Sequence, residues 1–136
     1  MGEVNRQGKL DFLASIDVLA VPTTYREPKG LFVLEALAAG VPVVQPDHGA
    51  FPEVLAETQG GLLHRPEDPE HLAQRLHELL TDAEQRLKLA ENGRKHVHAS
   101  GNAQEMARGT ESSLRAVIAQ FQTSKIPINS SAVERA

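Results

Sequence analysis

Residues 25–40, which read YREPKGLFVLEALAAG, decide the fold because a polar loop passes here directly into an apolar helix. Pro28 and Gly30 mark the turn that ends the loop. Every position but one in residues 31–39 is apolar, which predicts a helix without a solvent-facing side. Gly40 supplies a left-handed cap, and a proline two positions later prevents the helix from continuing.

The exception in this apolar helix is Glu35, whose carboxylate is costly to bury unless it has a partner. A second carboxylate, that of Glu27, lies eight residues earlier in the loop. The amides of Lys29, Gly30 and Leu31 are expected to point out of the helix start, where the helix dipole favours an anion. The local chemistry therefore predicts an anion cradle flanked by two carboxylates.

The two glutamates are separated by seven residues, with Pro-x-Gly-Leu between them and Glu-Ala-x-Ala-x-Gly-x-Pro-Val-Val following, at positions 27–31 and 35–44. This pattern resembles the donor-binding signature of retaining glycosyltransferases of the GT-B fold, family 4 (glycosyltransferases group 1). The family usually has Phe where this chain has Lys29, so the donor loop is more polar here. The resemblance extends over about residues 10–121.

Alternating helical and apolar strand patterns predict an α/β domain with about three parallel strands, followed by a helical C-terminal region. The predicted strands are 18–21, 41–46 and 60–64. The predicted helices are 5–16, 31–39, a short helix from 51, one from 69, one capped by Asp82, and 103–121. In the helix from 69, the inward-facing residues are predicted to be Leu72, Leu76, Leu79 and Leu80. The resemblance implies that these elements form the second half of a Rossmann-like GT-B C-terminal domain.

For domain organisation, residues 1–121 are expected to be a partial donor-binding domain and residues 122–136 a disordered tail. Enzymes of the resembled family have two Rossmann-like domains with the active site between them. The resemblance therefore implies that an N-terminal domain with the acceptor site is missing, together with the first strands of the C-terminal domain.

Composition excludes several classes of protein. A net charge of −4 gives no reason to expect nucleic acid as a partner, and the absence of cysteine excludes disulfides and thiolate metal sites. No segment approaches the roughly 20 apolar residues that span a bilayer. The N-terminus has no apolar signal core, so a cytoplasmic location is expected, with contact to the inner membrane surface left open.

The resemblance implies that Glu35 accepts hydrogen bonds from the ribose hydroxyls of a nucleotide donor. The alternative is a helix carboxylate that only reaches solvent. It also implies that Glu27 lies beside the donor sugar as the catalytic candidate, the alternative being a cap on the helix start. Glu27 and Glu35 are not expected to form the acid–base pair of a glycosidase. The helix rises by roughly 7.5 Å between Gly30 and Glu35, and the loop from Glu27 to Gly30 adds to the separation.

Further donor-binding candidates surround these two carboxylates. The amides of Gly30 and Leu31 are candidate phosphate or sugar contacts, with a plain helix-start glycine as the alternative. Lys29 is either a phosphate contact or a solvated lysine. The remaining candidates are Thr23, where the family tends to place a small hydroxyl residue, and His48 and Gly49, in the turn where open α/β sheets bind ligands. The alternative for His48 is a position on the loop surface. No metal site and no tightly bound cofactor are predicted, and a nucleoside diphosphate sugar is the expected co-substrate.

The function implied by the resemblance is transfer of a sugar from a nucleoside diphosphate sugar to an unknown acceptor with retention of configuration. The chain alone is expected to be inactive. One alternative is a non-catalytic module that binds a nucleotide sugar. The other is a structural domain that self-associates, because a sheet cut in half leaves an open edge of unpaired backbone groups.

Overall fold

The computed structural model describes residues 5–99 and 118–119. Within them, helices and strands alternate up to the third strand, and two consecutive helices follow. The helices and strands are α1 (Arg6–Ser15), β1 (Leu19–Ala20), α2 (Leu31–Ala38), β2 (Val43–Pro46), α3 (Phe51–Thr58), β3 (Gly61–His64), α4 (Pro69–Thr81) and α5 (Ala83–Ala99).

The three strands form one parallel sheet in the order β1-β2-β3. Val43 in β2 is aligned with Leu19 on one side and with Gly61 on the other. The α/β class, the parallel strands and the flanking helices are thus confirmed. β1 is shorter than predicted, because its pairing with β2 extends over two residues among those that the structure describes.

The hydrophobic core is centred on α2, as the apolar run of residues 31–39 predicted. Five of its eight residues are buried and none is exposed. They pack with buried residues of α1, α3 and α5 and with Val43 on one face of the sheet. Val44, the next residue of β2, faces the opposite side and is also fully buried, so β2 is covered on both faces.

Helix α4 corrects one detail of the predicted inner stripe. Leu79 is fully buried, but Leu80 is 56% exposed, so its assignment to the inner face was wrong. Consecutive residues are about 100° apart around a helix, and α4 has one side against the sheet and the other against solvent. The predicted caps are confirmed: Asp68 accepts from the His71 amide and Asp82 from the Gln85 amide.

The predicted helix 103–121 falls largely outside the described residues, as does the predicted disordered tail 122–136. Of that helix, Ile118 and Ala119 are described and are helical. Ile118 is buried in the core cluster with residues such as Leu10 and Leu13 of α1, which agrees with its predicted packing role.

No helix in residues 5–99 or at 118–119 is long and apolar enough to cross a membrane.

Candidate functional site

The candidate site lies where the parallel strands end at their carboxyl termini. The loop after β1 carries Thr23 and Glu27 and leads into α2, while the turn after β2 carries His48 and Gly49. Open α/β sheets bind ligands beyond this edge. The fold therefore brings the loop after β1, the turn after β2 and the start of α2 to one end of the sheet.

Glu27 folds back onto the start of α2. Its Oε1 accepts hydrogen bonds from the amides of Lys29 at 3.1 Å and Gly30 at 3.2 Å. The expectation that these two amides are open to an external anion was therefore wrong, because a carboxylate two and three residues away competes for them. The amide of Leu31 is not part of this contact, and Oε2 of Glu27 is not engaged in it.

Gly30 sets the direction in which the chain enters α2. It is the N-cap residue in the left-handed conformation, with φ +66°, and its carbonyl oxygen accepts from the amides of Val33 and Leu34 at 3.1 Å each. A left-handed φ suits glycine because it has no Cβ. The sharp turn places the exposed Lys29 just outside the buried helix start.

Gly49 passes directly against the backbone of Glu27. A Cβ on Gly49 would lie 2.8 Å from the carbonyl oxygen and 2.9 Å from the nitrogen of Glu27, and φ here is +60°. The next residue, Ala50, donates its amide to the Glu27 carbonyl oxygen at 2.8 Å. The turn after β2 thus fixes the position of Glu27, which explains why a glycine is required there.

His48 ties the two loops together. Its Nε2 lies 2.9 Å from the carbonyl oxygen of Thr23 and donates to it, because a carbonyl oxygen only accepts. Nδ1 of His48 is buried and has no partner among the described residues. The ring of His48 also lies 6.1 Å from that of Phe51. The hydrogen bond of His48 therefore holds the two loops together. The sequence had predicted either ligand binding or a surface position for this residue, not this contact.

Thr23 shapes the loop at a second point. Its Oγ1 accepts from the amide of Tyr25 at 3.0 Å, which closes a local turn. Thr23 also lines a cavity of about 260 Å³ that reaches from the end of β1 to His64 and the start of α4. Thr23 therefore lies at the carboxyl edge of the sheet, as predicted, with its hydroxyl oxygen engaged by the loop.

Glu35 has a partner that the sequence did not reveal. Its carboxylate oxygens accept from the Nζ of Lys9 at 3.1 and 3.2 Å, and its side chain is only 12% exposed. The reading in which Glu35 simply reaches solvent is thus wrong. One signal in the sequence was the spacing of Lys9 and Leu13. Residues four apart share a helix face, so this spacing places Lys9 on the apolar side of α1 that packs against the core.

A second cavity lies away from this edge. It has a volume of about 480 Å³ and lies between α1, the end of α2 and α5, with Val41 and Arg94 in its lining. Val41 precedes β2, so this cavity opens near the amino end of that strand. Glu27 and Glu35 do not line it. We therefore place the candidate site at the carboxyl edge, where the predicted residues converge.

Among the described residues, no group of three or more histidine, cysteine, aspartate or glutamate side chains is arranged to hold a metal ion. The start of α2 instead carries the Glu27 carboxylate with the two backbone amides that donate to it, and the pair of Lys9 and Glu35 lies further along the helix. Carboxylates accept hydrogen bonds from hydroxyl groups, and amides and ammonium groups donate hydrogen bonds to anions.

The profile of the family described as "Glycosyl transferases group 1" matches residues 1–96. The chain belongs to this family. The match runs from α1 into α5, where it ends at residue 96, and it includes both Glu27 and Glu35.

Two individual proteins also match much of the chain. The chain is 34% identical over 105 residues to a protein of Corynebacterium glutamicum named GDP-mannose-dependent monoacylated alpha-(1-6)-phosphatidylinositol monomannoside mannosyltransferase, covering 73% of this chain and 27% of that protein. It is 32% identical over 92 residues to spore coat protein SA of Bacillus subtilis, covering 67% of this chain and 24% of that protein.

A solved structure shows the same fold. Sucrose-phosphate synthase from Thermosynechococcus elongatus superimposes with a TM-score of 0.63 at 31% identity, covering 80% of this chain and 27% of that one. The match confirms the predicted likeness to the Rossmann-like C-terminal domain of GT-B enzymes. The chain spans about a quarter of the length of these three proteins.

Proposed function

We propose that this chain is the donor-binding part of a retaining, family 4 glycosyltransferase that uses a nucleoside diphosphate sugar. The observation that carries the proposal is the placement of the two signature glutamates around the start of α2. Glu27 is held at the loop end by Gly49 and Ala50, and Glu35 lies one and a half turns into the helix. In this proposal the two glutamates bracket one extended ligand.

In this proposal Glu35 binds the ribose. Its oxygens have about four lone-pair sites in total, and Lys9 uses two of them. Two sites remain for the vicinal hydroxyls of a ribose. A carboxylate that accepts two O–H groups gives short, charge-assisted hydrogen bonds that fix the nucleoside.

Glu27 and the start of α2 would hold the sugar and the diphosphate. Oε1 of Glu27 is occupied by two amides, which leaves Oε2 for a sugar hydroxyl. The Leu31 amide and the exposed Lys29 lie at the positive end of the helix, where a diphosphate is favoured. Thr23, His48 and Gly49 support this loop, His48 and Gly49 through contacts with its backbone.

The proposed reaction breaks the bond between the anomeric carbon and the diphosphate oxygen and forms one to an acceptor hydroxyl oxygen. The hydroxyl proton ends on the released diphosphate, and the anomeric configuration is kept. The protein contributes positioning and stabilisation of the charge that develops on the diphosphate. Because the chain spans about a quarter of its relatives, we propose that it binds the donor without transferring the sugar.

The relatives support a nucleotide-linked donor. The mannosyltransferase of Corynebacterium glutamicum is named as GDP-mannose-dependent and aligns over 73% of this chain. The base and the sugar in that name belong to that protein. For this chain, UDP, GDP and ADP are equal candidates as the leaving group. The acceptor is an unidentified hydroxyl compound.

The test is calorimetric binding of UDP-, GDP- and ADP-sugars to the 136-residue chain and to its Glu35→Gln variant. Loss of charge-assisted hydrogen bonds to two hydroxyls should weaken binding by about 10- to 100-fold. Glu57→Gln, in an exposed glutamate of α3, is the matched control and should bind as the wild type does. Equal affinity of the wild type and Glu35→Gln would refute the assignment.

A further inference from the structure

One charged contact of the site joins two helices that are distant in sequence. The Nζ of Lys9 in α1 donates to both oxygens of Glu35 in α2, at 3.2 and 3.1 Å, across 26 residues of sequence. The Glu35 side chain is 12% exposed, and that of Lys9 is 43% exposed. In this ion pair the Glu35 side chain is therefore largely buried, and the Lys9 side chain is partly open to solvent.

The direction of Lys9 follows from the packing of α1. Leu10 and Leu13 of this helix are buried against the core that surrounds α2. Lys9 precedes the buried Leu13 by four residues, so the two lie on one face of the helix. The packing of α1 thus presents the ammonium group to α2 and holds it there.

The contact restricts the Glu35 carboxylate. A glutamate side chain has three rotatable bonds and loses that freedom when both oxygens are held. With both oxygens directed to one ammonium, the plane of the carboxylate is fixed relative to α1. A ligand that binds the remaining lone pairs then meets a carboxylate that is already oriented, which lowers the entropic cost of binding.

Lys9 also has bonding capacity to spare. An ammonium group carries three N–H donors, and two are used on Glu35. The third is available on the solvent-exposed side of the pair. It can donate to an oxygen of the same ligand that Glu35 binds.

We infer that Lys9 is a positioning residue that sets selectivity for a ribonucleoside, by holding Glu35 ready to accept both vicinal hydroxyls of the ribose. The inference rests on the proposed function, because it assigns the ribose to Glu35. It adds a residue of α1, outside the signature of residues 27–44, to the recognition of the nucleoside.

A purely structural ion pair gives a different expectation. An exposed lysine that only ties two helices together changes the stability of the fold and affects all ligands alike. A positioning role affects a ribonucleotide more than its 2′-deoxy counterpart, because only the ribonucleotide offers two hydroxyls to the oriented carboxylate. Selectivity between the two nucleotides therefore separates the roles.

The experiment measures the affinity of the 136-residue chain for UDP, GDP and ADP and for their 2′-deoxy forms. For the nucleotide that binds, the wild type should prefer the ribo form by about 10-fold, the value of one hydrogen bond to a charged group. Lys9→Met should reduce this preference to about 2-fold or less, and Lys9→Arg should restore most of it.

Lys95→Met is the matched control. Lys95 pairs with Glu91 at 2.6 Å within α5, away from the carboxyl edge of the sheet, and its loss should leave the preference unchanged. Thermal melting of each variant reports whether the chain is folded. Lys9→Arg keeps the charge and provides a folded variant for comparison should Lys9→Met fold poorly.

Each outcome separates this inference from the proposed function. An equal effect of Lys9→Met on both nucleotides, or no effect, together with weakened binding in Glu35→Gln, would overturn the role of Lys9 and leave the donor site standing. Absence of nucleotide binding by the wild type, or no effect of Glu35→Gln, would overturn both. A selective loss for the ribo form would support both.

Discussion

The backbone of Gly49 lies against the backbone of Glu27, with 2.8 Å between the position of a Gly49 Cβ and the Glu27 carbonyl oxygen. The amide of Ala50 then bonds that same oxygen. The turn after β2 therefore supports the loop that carries the first signature glutamate. A side chain at position 49 has no room unless this loop moves.

We predict that Gly49→Ala destabilises the fold and weakens donor binding. A left-handed φ costs an alanine about 1–2 kcal/mol, and overpacking adds about 1–3 kcal/mol. Gly40→Ala is the matched control, since φ is +79° there but the new Cβ meets its nearest neighbour, Arg94 Cδ, at 3.7 Å. Chemical denaturation should show a larger loss for Gly49→Ala; equal losses would contradict the close contact.

Glu27 combines a capping oxygen with a negative charge, and two substitutions separate them. Glu27→Gln keeps an oxygen that can accept from the amides of Lys29 and Gly30, so stability should stay within about 0.5 kcal/mol of the wild type. Glu27→Ala removes the acceptor and should cost about 1–2 kcal/mol. Denaturant titration of the three proteins measures these differences.

The same pair of variants tests the proposed role of Glu27 toward the sugar. Both should bind the sugar conjugate of a nucleotide more weakly than the wild type does, with less change for the free nucleoside diphosphate. A Glu27→Gln variant with unchanged affinity for the sugar conjugate would leave Glu27 as a cap alone.

We predict that the stability of the fold depends on pH through the partly buried His98. Burial lowers the pKa of His98 below its ordinary value of 6.5, and the nearby Arg94 acts in the same direction, while the hydrogen bond to the Ala38 carbonyl oxygen opposes them. The unfolded chain therefore binds more protons than the folded chain near pH 6.5. Stability is fully present above that value and falls as the pH drops through it.

Thermal melting at pH 8 and pH 5.5 measures this effect. The wild type should melt at a lower temperature at pH 5.5, and His98→Gln should show a smaller difference. The exposed His77 provides the control variant His77→Gln, which should keep the wild-type difference. An undiminished difference in His98→Gln would show that other groups cause the pH dependence.

The open edge of β1 predicts self-association. Leu19 donates its amide to the Pro42 carbonyl oxygen, toward β2, so the amide of Ala20 points to the other side, where no strand of residues 5–99 is paired. Ala20→Pro removes this donor without removing a bond to β2. Ala20→Ser keeps the donor and serves as the control.

Sedimentation velocity over a range of concentrations tests the prediction. The wild type and Ala20→Ser should associate as concentration rises, and Ala20→Pro should associate less. A wild type that remains monomeric at high concentration would contradict association through this edge.

Much of the fold could be predicted because its signals are local. The apolar run before Gly40 identified α2, and the Asp68-Pro69 pair identified the start of α4. The exposure of Leu80 could not be predicted, because it depends on how far around α4 the sheet extends. The length of β1 likewise depends on which residues of β2 it meets.

The assignment of the candidate residues to a donor site stays a prediction, but the structure shows contacts among them that the sequence did not give. The structure brings the backbones of Glu27 and Gly49 together at the carboxyl edge of the sheet, and Glu35 lies further along α2. A cap on the helix start was the stated alternative for Glu27, and the hydrogen bonds from the amides of Lys29 and Gly30 to its Oε1 agree with that alternative. The sequence did not show the pairing of Lys9 with Glu35, since that contact depends on how α1 packs against α2.

The most direct test of the donor-site assignment is a backbone-amide NMR titration of the 136-residue chain with UDP, GDP, ADP and their sugar conjugates. We predict that one nucleotide shifts the amides of Gly30, Leu31 and Glu35 and leaves those of the exposed residues Glu57 and His77 unchanged. Unchanged amides at the start of α2 with all of these ligands would contradict a donor site in this chain.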